Sequence, residues 1–289
     1  MPFPLRFSCS DWAFPRLSHD AALLVIRDLS IEAVDIFVLS GSPHTAAEAV
    51  LADPAGVADA VKERVQRHGL KVADVFAIFG EDFEAFAPNH PDEAVRGESR
   101  RQFEALVAFS RRLEAPGMTV LPGVPFDGVD ERESLALAAS ELEQRAKIAA
   151  DAGLRLSVEP HLDSIIPTPA GAEPFLERTE EVGLTLDVSH FTYQGIAQGE
   201  SDPLIARTRH VHLRQARQDV MQARVREGTI DFPALRDRLL AAGYDAYFGL
   251  EYQWEEHWLD FTHVDCITET AELRDLLLDG TSEAPAPIA

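Results

Sequence analysis

Short hydrophobic runs recur along this chain, each preceded by a glycine and by a longer amphipathic stretch. The joint appears as His68-Gly69-Leu70, Ala152-Gly153-Leu154, Val182-Gly183-Leu184 and Ala242-Gly243-Tyr244, with Pro116-Gly117-Met118 as a variant. A glycine just past a helix takes the left-handed conformation that satisfies the last carbonyls, and a strand then begins at once. The pattern predicts strands over Leu5–Ser10, Ala33–Leu39, Leu70–Phe79, Met118–Gly123, Leu154–Glu159, Leu184–Val188, Arg209–Leu213 and Ala246–Tyr252. Helices are predicted over Ser18–Leu29, Pro54–His68, Asp92–Leu113, Glu131–Ala152, Thr168–Val182, Pro203–Arg207, Asp231–Ala242 and Thr262–Leu278. Thr168 and Asp231 are side-chain caps, each followed by a proline in the first turn. The stretches between, Ser40–His44, Gly80–Pro91, Val124–Asp130 and Arg214–Thr229, read as loops.

Eight strands, each followed by a helix, predict a (β/α)8 TIM barrel forming one domain over residues 1–279, with Gly280–Ala289 a proline- and alanine-rich disordered tail. An open doubly wound sheet would require a glycine-rich phosphate turn after an early strand, and the sequence has none.

Charge narrows the function classes. The 289 residues carry a net charge of −23, which repels a phosphate backbone, and no basic patch offsets it, so nucleic-acid binding is not expected. No apolar run approaches a membrane span. The start, MPFPLRF, lacks the charged-then-apolar order of a signal peptide, and the two cysteines, Cys9 and Cys266, read as free thiols of a reducing compartment. Together these point to a cytoplasmic protein.

The candidate chemistry lies at the strand ends. In LRLSVEPH, Leu154, Leu156 and Val158 share one face, and Arg155, Ser157, Glu159 and His161 the other. The apolar face requires a helix layer. The polar face ends in a carboxylate and an imidazole, which are costly to bury without a partner. Three later strands end alike: Asp187 in LTLDVSH, His212 in RHVHLRQ and Glu251 in FGLEYQW, each on the polar side of its strand. In a (β/α)8 barrel such ends gather at one mouth, where the active site sits. Three carboxylates and one imidazole suit a divalent cation, Mn²⁺ first, with Mg²⁺, Co²⁺ or Zn²⁺ as alternatives; thiolate-rich zinc sites look different.

The order Glu on the fifth strand (SVEPH), Asp on the sixth (LDVSH), His on the seventh (HVHLR) and Glu on the eighth (GLEY) resembles the xylose-isomerase-like TIM barrels, and the resemblance covers essentially the whole chain. It implies Glu159, Asp187, His212 and Glu251 as metal ligands and His190 as a substrate contact. The ketose-epimerase pattern also has an arginine beyond the seventh-strand histidine, a role for which Arg214 and Arg217 compete. His161 departs from that pattern and looks like an acid or base of the dehydratase relatives.

Two outcomes therefore stand. In the first, a divalent metal polarises a carbonyl, Glu159 or Glu251 takes the neighbouring proton, and its return isomerises or epimerises a sugar or keto-polyol through an enediolate. In the second, His161 protonates a departing hydroxyl and the enzyme is a lyase that dehydrates a keto-cyclitol, keto-sugar or dehydroshikimate-like substrate. Trp12, Phe14, Phe79 and Trp254 are candidates for the walls of a sugar pocket or for core, and His44 and His90 are expected at the surface. The expected partner is a small carbohydrate-like molecule. The long loops after the third and seventh strands leave room for a homo-oligomer.

Overall fold

Eight of the predicted strands close on one another in a computed structural model of the chain, which describes residues 5–255, 259, 261 and 263–279. In chain order the strands are β1 (Phe7–Ser10), β2 (Ala33–Leu39), a two-residue β3 (Thr45–Ala46), β4 (Lys71–Ile78), β5 (Gly117–Val120), β6 (Arg155–Val158), β7 (Gly183–Leu186), β8 (Thr208–Leu213) and β9 (Phe248–Leu250). Every pairing is parallel; β1 bonds to both β2 and β9, so the sheet closes, and β3 hangs beside β2 outside the ring. The result is a closed eight-stranded parallel barrel with flanking helices, a single-domain TIM barrel.

The helices are α1 (His19–Asp28), α2 (Ala47–Ala52), α3 (Pro54–Arg67), α4 (Glu93–Arg112), α5 (Glu131–Asp151), α6 (Pro169–Leu176), α7 (Ser189–Tyr193), α8 (Phe232–Ala241) and α9 (Cys266–Leu278), with 3-10 turns at Asp11–Ala13 and Gln198–Arg207. Most start on the cap that the sequence indicates. Ser18, Asp92, Asp130, Thr168, Asp231 and Asp265 each accept a backbone N–H with the side chain. The apolar core fills the layer between barrel and helices, where Val38, Leu156, Leu184 and Val211 meet Leu23, Leu106, Leu142 and Phe175.

The inside of the barrel is polar. Ser8 donates to Asp35 at 2.9 Å, and Thr119 donates to Asp74 at 2.6 Å while lying 2.6 Å from Thr185. His210 and His212 complete the column. Barrels of this class usually fill this space with branched apolar residues. Here the buried polar groups pair with one another, which offsets the cost of removing them from water.

Several elements differ from the sequence expectation. The helix predicted over Thr168–Val182 ends at Leu176, because its last turns run into Thr179–Val182, whose carbonyls are taken up by Arg207. The Pro203–Arg207 helix is a longer 3-10 segment from Gln198. β3 and α2 occupy a stretch between the Ser40–His44 loop and the Pro54 helix to which the sequence pattern assigns no element, and α7 begins two residues after Asp187. The last helix starts at Cys266 on its Asp265 cap; the predicted start at Thr262 and the tail 280–289 lie outside the described residues. Cys9 and Cys266 are free and buried, as expected. No helix among the described residues is long and apolar enough to cross a membrane.

Of the five glycine joints, Gly69, Gly153 and Gly243 have positive φ and cap helices. Gly117 and Gly183 do not. They lie inside β5 and β7, where a Cβ would strike the Arg155 carbonyl and the Arg209 side chain.

Candidate active site

Glu159, Asp187 and Glu251 each follow immediately on the last residue of β6, β7 and β9, and His212 is the penultimate residue of β8. All four point into the C-terminal mouth of the barrel and are essentially buried. The parallel register sets them side by side: the Glu159 N–H donates to Val120 at 3.3 Å and the Glu251 N–H to Leu213 at 2.9 Å. At β7 the backbone turns at once into α7, and the Ser189 N–H donates to Asp187 Oδ1 at 2.8 Å, which fixes that carboxylate.

Ligand atoms of Glu159, His212 and Glu251 lie within 4.8 Å of one another, as do those of Glu159, Asp187 and His190. Glu159 belongs to both sets. His212 Nδ1 stands 2.6 Å from Glu159 Oε1 and 3.3 Å from Glu251 Oε1, its ring beside the stacked pair of Phe37 and Phe76. The Arg214 guanidinium closes the group. One of its terminal nitrogens donates to Asp187 at 2.8 Å, the other lies 3.1 Å from Glu251, and its Nε donates to Ser189 Oγ at 3.1 Å.

The electrostatics follow from that crowding. Burial acts to raise Glu159, but the His212 imidazole, the hydrogen bond from it, and the charges of His190 and Arg214 win and hold it well below the usual carboxylate range. Burial pushes Glu251 up to about 8 against His212 and Arg214. For His212 burial favours the neutral ring, yet the Glu251 and Glu159 carboxylates outweigh it and raise it to about 10. A proton thus sits at the one place that two carboxylates and an imidazole nitrogen share. A divalent cation would take the same place, with the Nδ1 lone pair as its nitrogen ligand. Asp187 enters through the second set, with Glu159 and His190, and carboxylates beside an imidazole suit a hard-to-borderline divalent ion.

The remaining predicted residues divide. His190, on α7, accepts from the Leu162 N–H through Nδ1 at 3.2 Å and presents Nε2 to Arg214 and Asp187. His161 is buried in the cavity wall, edge-on to Phe83 and His190, and its Nε2 has no hydrogen-bond partner among the described residues. Burial, reinforced by His190, lowers His161 to about 3. Arg214 is part of the site, whereas Arg217 is not brought there; it is exposed on a small antiparallel bridge with Val220.

The mouth holds a cavity of about 210 Å³ lined by Trp12, Phe37, Leu39, Phe76, Ile78, Phe83 and the charged group of Glu159, His161, His190, Arg214 and Glu251. Of the four aromatic wall candidates only Trp12 lines it; Phe79 lines a neighbouring crevice, and Phe14 and Trp254 line a groove on the outer side. Phe37, Phe76 and Phe83 were not singled out from the sequence. The signal was there for the first two, since Asp35, Phe37 and Leu39, and likewise Asp74, Phe76 and Ile78, alternate onto the inner face. His44 is buried rather than exposed, stacked on His19 with its Nε2 3.0 Å from the Leu17 carbonyl oxygen.

Comparisons with known proteins agree with this fold. The family model described as "Xylose isomerase-like TIM barrel" matches residues 24–275. A Streptomyces coelicolor protein named "Putative hydroxypyruvate isomerase" is 27% identical over 212 residues, 68% of this chain and 74% of the relative. Among solved structures, D-psicose 3-epimerase with D-tagatose from Clostridium cellulolyticum H10 superposes with a TM-score of 0.75 at 14% identity, over 94% of this chain and 98% of that one. A xylose isomerase-like TIM barrel protein from Mycobacterium smegmatis in complex with magnesium gives 0.68 at 13% identity, over 94% and 96%.

Proposed function

This chain belongs to the xylose isomerase-like TIM barrel family, and from that premise we propose that it is a divalent-metal-dependent isomerase or epimerase of a small, unphosphorylated keto-sugar or keto-polyol. The observation that supports this most is the sharing of Glu159 between two sets of buried ligand atoms at one barrel mouth.

Glu159, Asp187, His212 and Glu251 would hold the ion. When bound, it supplies Lewis-acid polarisation of a carbonyl, which acidifies the neighbouring C–H. The protein supplies the rest. Glu159 and Glu251 both approach His212 Nδ1 from separate strands, and one removes the proton from carbon while the other returns one; return from the opposite face epimerises, and return to the adjacent carbon isomerises. Arg214 holds Asp187 and Glu251 in place through its two ends. His161 Nε2, in the cavity wall, is placed to meet a substrate hydroxyl, and His190, which also lines the cavity, stands against Arg214 and Asp187 through Nε2. The aromatic walls keep water away from the carbon that carries the transient negative charge.

Two features favour a neutral substrate. Arg214 is the cation that lines the cavity among the described residues, and it is already engaged by two carboxylates. A phosphate or a carboxylate would need a further one.

The dehydratase outcome fits less well. His161 would have to carry a proton to a leaving hydroxyl, yet its burial against Phe83, away from any carboxylate hydrogen bond, keeps the ring neutral. A neutral imidazole serves as a hydrogen-bond partner or a base.

The test is a panel of ketoses and keto-polyols with Mn²⁺ in deuterated water, followed by NMR. One substrate should take up solvent deuterium at the carbon beside the carbonyl while keeping its water. Loss of water with formation of an enone would select the lyase, and no exchange with any unphosphorylated ketose would overturn the proposal.

A further inference from the structure

The opposite end of the barrel carries a second concave site, and its construction is as specific as that of the first. A pocket of about 90 Å³ opens at the N-terminal mouth, lined by Arg6, Arg155, Arg209, Asp74, His210 and Tyr247 among others. Three guanidinium groups face one opening in a chain of net charge −23. Arg6 is braced, donating to the Asp245 carbonyl and lying 4.6 Å above the Tyr247 ring. Arg209 is half-buried, and burial together with repulsion from Arg155 and Arg207 lowers its proton affinity. No salt bridge joins Arg155 or Arg209 to a described acid.

The backbone has been shaped to place them. Leu184 pairs with Thr208 and Thr185 with His210, which makes Arg209 the extra residue of a β-bulge; bulges re-aim side chains. Its side chain then lies across Gly183, where a Cβ would come within 2.5 Å of Arg209 Cδ. Gly117 opens the neighbouring wall, since a Cβ there would meet the Arg155 carbonyl at 2.9 Å and Asp74 Oδ1 at 3.3 Å. A second bulge makes Ala73 extra between Val34–Val72 and Asp35–Asp74, and Ala73 also lines the pocket. Like-charged side chains held together around a cleft, with glycines clearing the space between, are costly unless an anion joins them.

We infer that this N-terminal mouth binds a phosphate group, free or at the end of a small metabolite, between Arg155, Arg209 and Arg6. The pocket has about the volume of three waters at ~30 Å³ each, so it takes a tetrahedral oxyanion and leaves any attached carbon chain outside. Asp74 is the acid that lines it; it accepts from Thr119, and burial raises its proton affinity. Glu181 faces Arg209 from the β7 side. The site reaches the catalytic end through the polar column. His210 lines the pocket and its ring stands edge-on to His212, with centroids 5.3 Å apart.

The test titrates the metal-loaded full-length protein with inorganic phosphate and, in parallel, glucose 6-phosphate, by calorimetry and by NMR of the arginine Nε–H groups. One saturable site per chain is expected, with the Arg155 and Arg209 signals shifting. Arg155→Gln and Arg209→Gln should each weaken binding by about tenfold or more, and Arg155→Lys should recover part of it. Arg155 is exposed, so its replacement leaves folding intact and thermal denaturation without phosphate should show no loss of stability. Equal affinity for the two ligands marks the free phosphate end as sufficient; a preference for the sugar phosphate marks contacts outside the pocket. Binding that persists in both arginine variants, or a response that chloride reproduces, overturns the inference.

Discussion

Glu159 and Glu251 accept different protonation states from the same surroundings, and that difference is the most consequential property of single residues in this protein. Glu159 is held ionised by His212, while burial keeps Glu251 near the protonated side. Glu159→Gln and Glu251→Gln should therefore each lower turnover by about 10² to 10⁴-fold, the range of a lost acid or base, with circular dichroism unchanged. His161→Asn should cost less and act mainly on KM, because the ring meets substrate rather than carbon-bound hydrogen. The proton between His212 and the two carboxylates sets the pH dependence. His212 is raised, so the metal-free protein holds that proton through neutrality and a cation must displace it. Metal affinity should then weaken as pH falls, and calorimetry in buffers of different ionisation heat should show protons released on binding. Affinity that is flat across pH 6–8, roughly the window in which such groups exchange with a metal, would contradict this.

At the scale of elements, the helix starts and three of the five glycine joints, Gly69, Gly153 and Gly243, were legible because each is a local device. Asp130 shows it: the carboxylate accepts from the Arg132 and Glu133 N–H groups, so the start of α5 was readable from its own sequence. Asp130→Ala should cost ~1 kcal/mol of stability, seen in urea denaturation, and leave activity alone. Gly249 is a stronger case. An added Cβ would meet the Val211 carbonyl at 2.5 Å and Asp35 Oδ2 at 2.8 Å, so Gly249→Ala should destabilise by about 1–3 kcal/mol. What escaped reading depends on distant partners. α6 stops at Leu176 because Arg207, some thirty residues on, takes the carbonyls beyond it. Gly183 reads as another helix-ending glycine, and its actual neighbour is the bulged Arg209. β3 and α2 are too short to show a period.

The whole molecule is a parallel barrel whose lumen is a polar column with a mouth at each end, one acidic and one basic. The closed ring follows from eight repeated units, and this much the hydrophobic pattern alone conveys. The placing of Glu159, Asp187, His212 and Glu251 on one rim also follows, because a closed parallel barrel puts all its strand ends there; that their ligand atoms fall into two sets sharing Glu159 does not. The roles of the two arginines did not follow: Arg214 and Arg217 lie three residues apart, and only tertiary packing separates a buried clamp from an exposed hairpin. Removing divalent ions with a chelator should lower the melting temperature, since a ligand that binds only the folded state stabilises it by mass action, and added Mn²⁺ should restore it.

The claim on which the rest stands is that four side chains from four strands share one cation. The most direct measurement is Mn²⁺ titration followed by electron paramagnetic resonance, on the native chain and on Glu159→Gln, Asp187→Asn, His212→Gln and Glu251→Gln. The account predicts one tight site per native chain and a marked loss of affinity in every one of the four variants. A chain that binds no Mn²⁺, or variants that bind it as the native chain does, would contradict it.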